Sequence, residues 1–302
     1  MIDNFDDFCL YMYWVVDELR RGLAVYFKRP GPDPECSDSE LITMILVGEC
    51  RGWAVETDMR SHWQEHQDLF PTLPSQSRWN RRRRALADGI NLIRQAALRL
   101  MDVAQDRQCA IDSLPIEVVQ CHRVPGSTGD WAAHGASFGK VPSKKQTIFG
   151  YKLHLLVTLG GVRALDFELA PAHASDLSVG EELLEGHTDL EVIGDKAYIS
   201  AAVAARLLLQ LAIRLITLPR RNQKRQLPTA VRRLLNAVRQ IIETVKAQLT
   251  EQFHLEINHA HTFEGLCARL HSKLAAHTLC IYLNRLLGKA DFLQIKSLAF
   301  PI

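Results

Sequence analysis

The sequence contains no Cys-x-x-Cys pair. Its seven cysteines, Cys9, Cys36, Cys50, Cys109, Cys121, Cys267 and Cys280, are odd in number and scattered. Such spacing argues against a zinc site or a disulfide framework and fits a reducing compartment. No uncharged apolar run approaches the roughly 18 residues of a membrane span. Asp3, Asp6 and Asp7 stand where a secretory leader would be basic. The expectation is a cytoplasmic protein with no membrane partner. A marked net charge is also missing: the balance is +2, which by itself points to no partner.

What is present is an ordinary globular composition, 47% hydrophobic and 23% charged over 302 residues. That length supports one large domain or two smaller ones. The charge is unevenly spread. Residues 1–105 hold 13 Lys/Arg against 16 Asp/Glu, and the remainder holds 23 against 18. Arg214 to Lys246 carries nine basic residues and a single acid, Glu243. A lone carboxylate in a basic field suggests that a polyanion is brought to it. The structural alternative is a solvated helix face.

Residues 5–29 space Phe5, Phe8, Met12, Val15, Val16 and Leu19 as a helix does, and Pro30 to Pro34 ends it. Ser37 and Glu40 form a capping box for a second helix, Leu41 to about Arg51. A loop around Pro71 and Pro74 precedes a third, from Ser77 through about Val103. The first 105 residues thus read as an all-helical domain. Its conspicuous feature is Arg78 with Arg81, Arg82, Arg83 and Arg84. Phosphate contact by Arg78, Arg81, Arg82 and Arg84 is the functional reading. Ion pairing to the acidic first third is the structural one.

From residue 106 the pattern turns to strands. Cys109 to Ser113 is a short apolar strand holding Asp112, and Ile116 to Val119 extends or follows it. Arg123 to Lys145 lacks periodicity and reads as a mobile loop ending in Lys144 and Lys145. Phe149 to Thr158 is a strand, and Gly160-Gly161 turns it into another, Val162 to Leu169. A helix capped by Ser175-Asp176, a strand Leu190 to Asp195, a helix 200–211, a strand Ile213 to Leu218 and two long helices complete the chain. The last, about Phe263 to Leu287, carries a stripe of Leu266, Leu270, Leu274, Leu279 and Leu283.

Val192-Ile193-Gly194-Asp195 runs a buried strand into a carboxylate. In sheets with helices on their faces, ligands gather at that edge; capping of the next helix is the plain alternative. If the first and fourth strands lie side by side, Asp112 and Asp195 approach each other. Glu243 then adds a third carboxylate from a helix laid across the edge. Such acids repel unless cations intervene. Mg²⁺, with Mn²⁺ as a substitute, suits oxygen ligands, and two ions about 4 Å apart support phosphoryl transfer.

These pieces resemble a known family. Ala110-Ile111-Asp112-Ser113, Gly150-Tyr151-Lys152-Leu153-His154, His173-Ala174-Ser175-Asp176, Gly194-Asp195-Lys196-Ala197-Tyr198 and Arg239-x-x-x-Glu243 together are similar to a bacterial insertion-sequence transposase with a DDE catalytic domain of the RNase H-like, retroviral-integrase type. The likeness runs over about 108–290. It implies an α/β fold: an RNase H-like mixed five-stranded sheet flanked by helices over 106–302, preceded by the helical domain, 1–105, which grips the element's ends. It places the first and fourth strands together and makes Asp112, Asp195 and Glu243 the metal-binding catalytic triad. It further implies metal-dependent cleavage of double-stranded DNA at transposon ends, attack of the freed 3′-hydroxyl on target DNA, and a homodimer on DNA in the bacterial nucleoid. Some relatives carry a tyrosine three residues before the arginine and a lysine seven after the glutamate. Here those places hold Asn236 and Thr250, which sets the hairpin-forming variant of the chemistry in doubt.

Arg239 and Lys246 share a helical face with Glu243 and suit phosphates beside the scissile bond, with ion pairing to Glu243 as the alternative. Lys152, Lys196, Tyr198 and the basic loop Arg220-Arg221-Asn222-Gln223-Lys224-Arg225 complete the expected DNA contacts. His154 and His173 read as hydrogen-bonded structural residues, and Asp176 as a helix cap. Three alternatives stay open: an RNase H-like nuclease without strand transfer, an inactive DNA-binding derivative, and a two-carboxylate sugar hydrolase. The basic surroundings of Glu243 disfavour the last.

Overall fold

The computed structural model describes residues 2–102, 106–141, 145–161, 163–219, 228–290 and 293–300. Two compact units emerge: Met1–Met101 with Leu249–Ile302, and Asp102–Gln248. The contacts therefore group the C-terminal segment with the N-terminal helices, whereas the sequence reading placed it with the sheet.

In the helical unit, α1 (Phe5–Gly22) starts at Asn4, whose side chain accepts the Asp7 N–H. Acids fill its first turn and arginines its last, complementing the helix dipole. α2 (Asp38–Cys50) opens on the expected capping box, with both reciprocal bonds between Ser37 and Glu40 formed. α3 (Glu56–Gln64) follows, in a stretch between the second expected helix and the Pro71–Pro74 loop. The single helix expected beyond Ser77 is two, α4 (Gln76–Ala85) and α5 (Ala87–Leu100), parted at Leu86.

The second unit holds a six-stranded sheet: β1 (Gln108–Val119), β2 (Ser137–Val141), β3 (Gln146–Thr158), β4 (Ala164–Pro171), β5 (Glu191–Gly194) and β6 (Arg214–Thr217). β3 pairs antiparallel with β1 on one side and with β2 and β4 on the other. β5 pairs parallel with β1 and with β6. The sheet is mixed, as expected, with β2 as a sixth strand inside the stretch read as a loop. Gly139 interrupts its pattern for a physical reason: a Cβ there would collide with the Ala172 backbone. The residue that looks like a breaker permits the close approach.

Helices cover both faces. Cys109, Ile111 and Val192 pack with Leu183 and Leu184 of α6 (Asp176–Glu185) and Leu207 of α7 (Ala201–Leu211). One residue on, the pleat turns Ile193 to the opposite face, against Leu235 and Val238 of α8 (Thr229–Glu251). α8 buries Leu235, Ile242, Val245 and Leu249, the spacing of one helical stripe.

α9 (Phe263–Leu286) and α10 (Lys296–Ala299) return the chain to the helical unit. α9 contacts α1, α2, α4 and α5. It is buried beyond the leucine stripe, at Arg269, Lys273, His277 and Asn284 as well. Its polar face is tolerated because it is paired. Lys273 Nζ reaches Glu49 Oε2 at 2.7 Å and also the Phe253 carbonyl, and Arg269 Nη1 donates to the Ala54 carbonyl at 2.6 Å. Among the described residues no helix is long and apolar enough to cross a membrane.

Candidate active site

The sheet register positions the two aspartates. Ile111 of β1 is level with Gly194 of the parallel strand β5. Asp112 and Asp195 are the next residues, so they lie at the same height on backbones about 4.8 Å apart. Asp112 also shares the face of Ala110 and Ile193, which α8 covers, because side chains alternate along a strand. Each aspartate has one oxygen fixed by backbone. Asp112 Oδ1 accepts the Ser113 N–H at 2.8 Å, and Asp195 Oδ1 accepts the Ala197 N–H at 2.7 Å. Burial raises the Asp195 pKa above the ordinary aspartate value; the Ala197 bond opposes this and the Asp112 charge adds to it.

α8 supplies the rest. Lys246 Nζ lies 2.8 Å from Asp112 Oδ2 and 3.5 Å from Glu243 Oε2. Burial acts to lower the lysine's pKa, but Asp112 and Glu243 outweigh it, and the net shift is upward. Arg239, one turn before Glu243, is close enough for its charge to act on Asp195. The expected alternative for Lys246, pairing with Glu243, is therefore present, and Asp112 is its nearer partner.

Behind the aspartates, on the α6 face, stands a second polar group. Lys152 Nζ binds Asp176 Oδ1 at 2.6 Å and the Ala174 carbonyl at 2.7 Å, and Ser113 Oγ approaches the same carboxylate at 3.4 Å. Asp176 thus holds Lys152 from the first turn of α6; Ser175 occupies the cap position. His154 is fully buried, with Nδ1 3.3 Å from the Tyr198 hydroxyl. Burial lowers its pKa to about 4. The sequence pieces hinted at these residues, but which of them meet depends on register, which spacing alone does not give.

Two of the residues expected to contact DNA already have protein partners. Tyr198 is 2% exposed in the core between the sheet and α6. Its ring fills the space left by Gly180 and Gly194. Lys152 spends its ammonium on Asp176 and Ala174.

The remaining basic residues divide by exposure. Arg78 and Arg81 on α4 are exposed, as are Lys145 and Lys196. Arg82 is held by Asp38 at 2.7 Å and by the Cys36 carbonyl, so its fork already has protein partners. Arg83 is buried on Glu49 and Glu56. Arg84, partly exposed, lies 3.4 Å from Glu264. Lys144, Arg220, Arg221 and the rest of that basic loop fall outside the described residues.

The three candidate ligands are all carboxylates, a hard oxygen set that suits Mg²⁺ or Mn²⁺ rather than zinc. Among the described residues no three acid, imidazole or thiol side chains stand close enough to hold an ion. The Lys246 ammonium, however, already sits between Asp112 and Glu243 as a cation. The donors therefore fit a divalent ion in kind, with Lys246 where its positive charge would act.

Residues 104–263 match the family model described as "Transposase DDE domain", a span that includes Asp112, Asp195 and Glu243. No curated protein matches the chain. Among solved structures, the cryo-EM structure of the piggyBac transposase synaptic complex with hairpin DNA is similar, with a TM-score of 0.51 at 11% identity. The likeness covers 99% of this chain and 79% of that one. At that identity it is a likeness of fold.

Proposed function

The chain belongs to the transposases with a DDE domain, and from that premise we propose that it binds the ends of its own mobile element, cuts the DNA there and joins the freed end to a target. Asp112, Asp195 and Glu243 are the catalytic carboxylates in this reading. The observation that carries it is the register of Ile111 with Gly194, which sets two aspartates side by side under the helix that bears Glu243. A divalent ion held by these carboxylates, Mg²⁺ or Mn²⁺, supplies a Lewis acid for the phosphoryl oxygens and a more acidic water.

The chain's own groups have separable tasks. Asp112 and Asp195 offer one side each of a hard oxygen site, oriented by Ser113 and Ala197 backbone N–H groups. Arg239, beside Asp195, is placed to meet the phosphate next to the scissile bond. Exposed Lys196 and Lys145, with Arg78 and Arg81 of the helical unit, are proposed to hold the DNA backbone. Such contacts add salt-dependent affinity without reading sequence. A homodimer would hold two ends together.

The test is cleavage and joining of duplex DNA carrying the element's termini, with Mg²⁺, Mn²⁺ or chelator, for wild type, Asp195→Ala and Glu243→Ala. Both variants are expected to lose activity by about two orders of magnitude or more, while still binding the ends. Cleavage without joining would instead identify a plain nuclease. Wild type and variants equally inert on bound ends would leave a DNA-binding derivative.

A further inference from the structure

The ion pair between Lys246 and Asp112 bears on how a divalent ion would reach this site, and the inference rests on the catalytic reading above. Asp112 has two oxygens. Oδ1 is committed to the Ser113 N–H, and Oδ2 receives the Lys246 ammonium at 2.8 Å. The oxygen that no backbone group orients is therefore the one the lysine holds. The same ammonium reaches Glu243 Oε2 at 3.5 Å, three residues back on α8. Asp112 and Lys246 are both mostly withdrawn from solvent, at 17% and 18% side-chain exposure, so water screens their attraction little. Glu243 is 52% exposed and the less constrained of the three.

We propose that Lys246 is an exchangeable counter-ion: its ammonium neutralises Asp112 and Glu243 in the metal-free protein and must leave Asp112 Oδ2 for a divalent ion to bind. Contact of Lys246 with Asp112 and occupation of the site by metal are then mutually exclusive. Without the lysine, Asp112 would face Asp195 on the adjacent strand with its own ion-pair partner gone, an arrangement that like charges disfavour. With it, the metal-free site is stable, and the ion must compete for entry. Lys246 has a long, flexible stem carrying a point charge, which suits a group that must swing aside. Once displaced, it remains on the face of Glu243 and Arg239, where a DNA phosphate is the natural partner.

Two measurements on the full chain decide this, with Mn²⁺ alone as the probe. First, Mn²⁺ affinity is compared by titration for wild type, Lys246→Met and Lys246→Arg, with Asp112→Asn as control. Lys246→Met is expected to bind about ten-fold more tightly, since an opposite charge at this range shifts carboxylate equilibria by that order. Lys246→Arg, still cationic and able to grip Asp112 with two N–H groups, is expected to gain nothing. Second, acylation of Lys246 in wild type by an amine-reactive ester is read by mass spectrometry with chelator and with Mn²⁺. Reactivity should rise when Mn²⁺ is added. This readout needs no variant, so it stands even if Lys246→Met fails to fold.

Equal or weaker Mn²⁺ binding by folded Lys246→Met, or acylation of Lys246 unchanged by bound Mn²⁺, would overturn the exchange and leave the catalytic reading intact. No Mn²⁺ binding by wild type, or binding that Asp112→Asn does not weaken, would remove the metal site itself and this inference with it.

Discussion

His154 lies in the layer beneath Asp112 and Asp195, fully buried and bonded to the Tyr198 hydroxyl. Burial keeps it neutral, with a pKa of about 4 against the usual 6.5. The sign of the consequence follows from proton counting. Below pH 6.5 the unfolded chain takes up a proton that the folded chain refuses, so stability falls as pH drops from 6.5 towards about 4. The full titration is worth roughly 3 kcal/mol for this one group. His277 in α9 is buried and lowered to about 4 in the same way, and adds to the slope. Asp195 acts in the opposite sense. Its raised pKa lets the folded state bind a proton first, so its contribution improves as pH falls through that value. Between pH 6.5 and 5 the two histidines act in the same sense as His259 and His271, which burial also lowers. Thermal melts should therefore show a falling Tm over that interval. His154→Leu should lower Tm at pH 7.5, because the Tyr198 hydroxyl loses its partner, yet give a shallower loss on acidification. An unchanged slope in that variant would mean that His154 titrates as an exposed imidazole.

α8 is the element on which the site depends, since it carries Arg239, Glu243 and Lys246, and it is docked by a stripe that runs from Leu235 through Ile242 and Val245 to Leu249. Leu235, 4% exposed, packs with Ile193 and Leu218. Glu243 lies eight residues on, about 12 Å along the axis. Truncating Leu235 to alanine should cost about 2–5 kcal/mol, the usual range for a buried leucine. The same change should lower DNA cleavage through the loosened helix. Asn236→Ala, on the exposed side, should leave both Tm and cleavage near wild type. Equal activity of the two variants would show that Glu243 is held by something other than this packing. α8 was legible in the sequence because its apolar residues recur at helical spacing over a long run, and so was Asp195, because a carboxylate ended an apolar strand. β2 was not legible: Gly139 breaks its alternation, and the reason for that glycine, the Ala172 backbone, is 33 positions away in the chain. Nor was the Lys246–Asp112 pair, since two residues on different elements meet only when sheet register and helix rotation are both fixed.

At the scale of the whole molecule, the chain's two ends build one unit and its middle builds the other. α9 shows why the sequence concealed this. Its leucine stripe suggested a helix with one buried face, whereas Lys273 and Arg269 are buried as well, on partners contributed by residues more than 200 positions earlier. Burial works against the Glu49 carboxylate, but Lys273 and Arg83 outweigh it and keep it ionised. Removing one cation from such a set leaves an imperfectly compensated buried charge. Lys273→Met should cost about 3–5 kcal/mol, whereas adding Glu49→Gln, which removes the stranded charge, should recover part of the loss. Because Lys273 belongs to the helical unit and Leu235 to the sheet unit, the two variants also report on how the molecule unfolds. Calorimetry of Lys273→Met should move the transition of the helices to lower temperature and leave that of the sheet in place. Leu235→Ala should do the reverse. α8 enters both units, with residues to Gln248 in one and from Leu249 in the other, so coupling through it is the competing outcome. A single transition displaced by both variants would show that the helix binds the two units into one cooperative block.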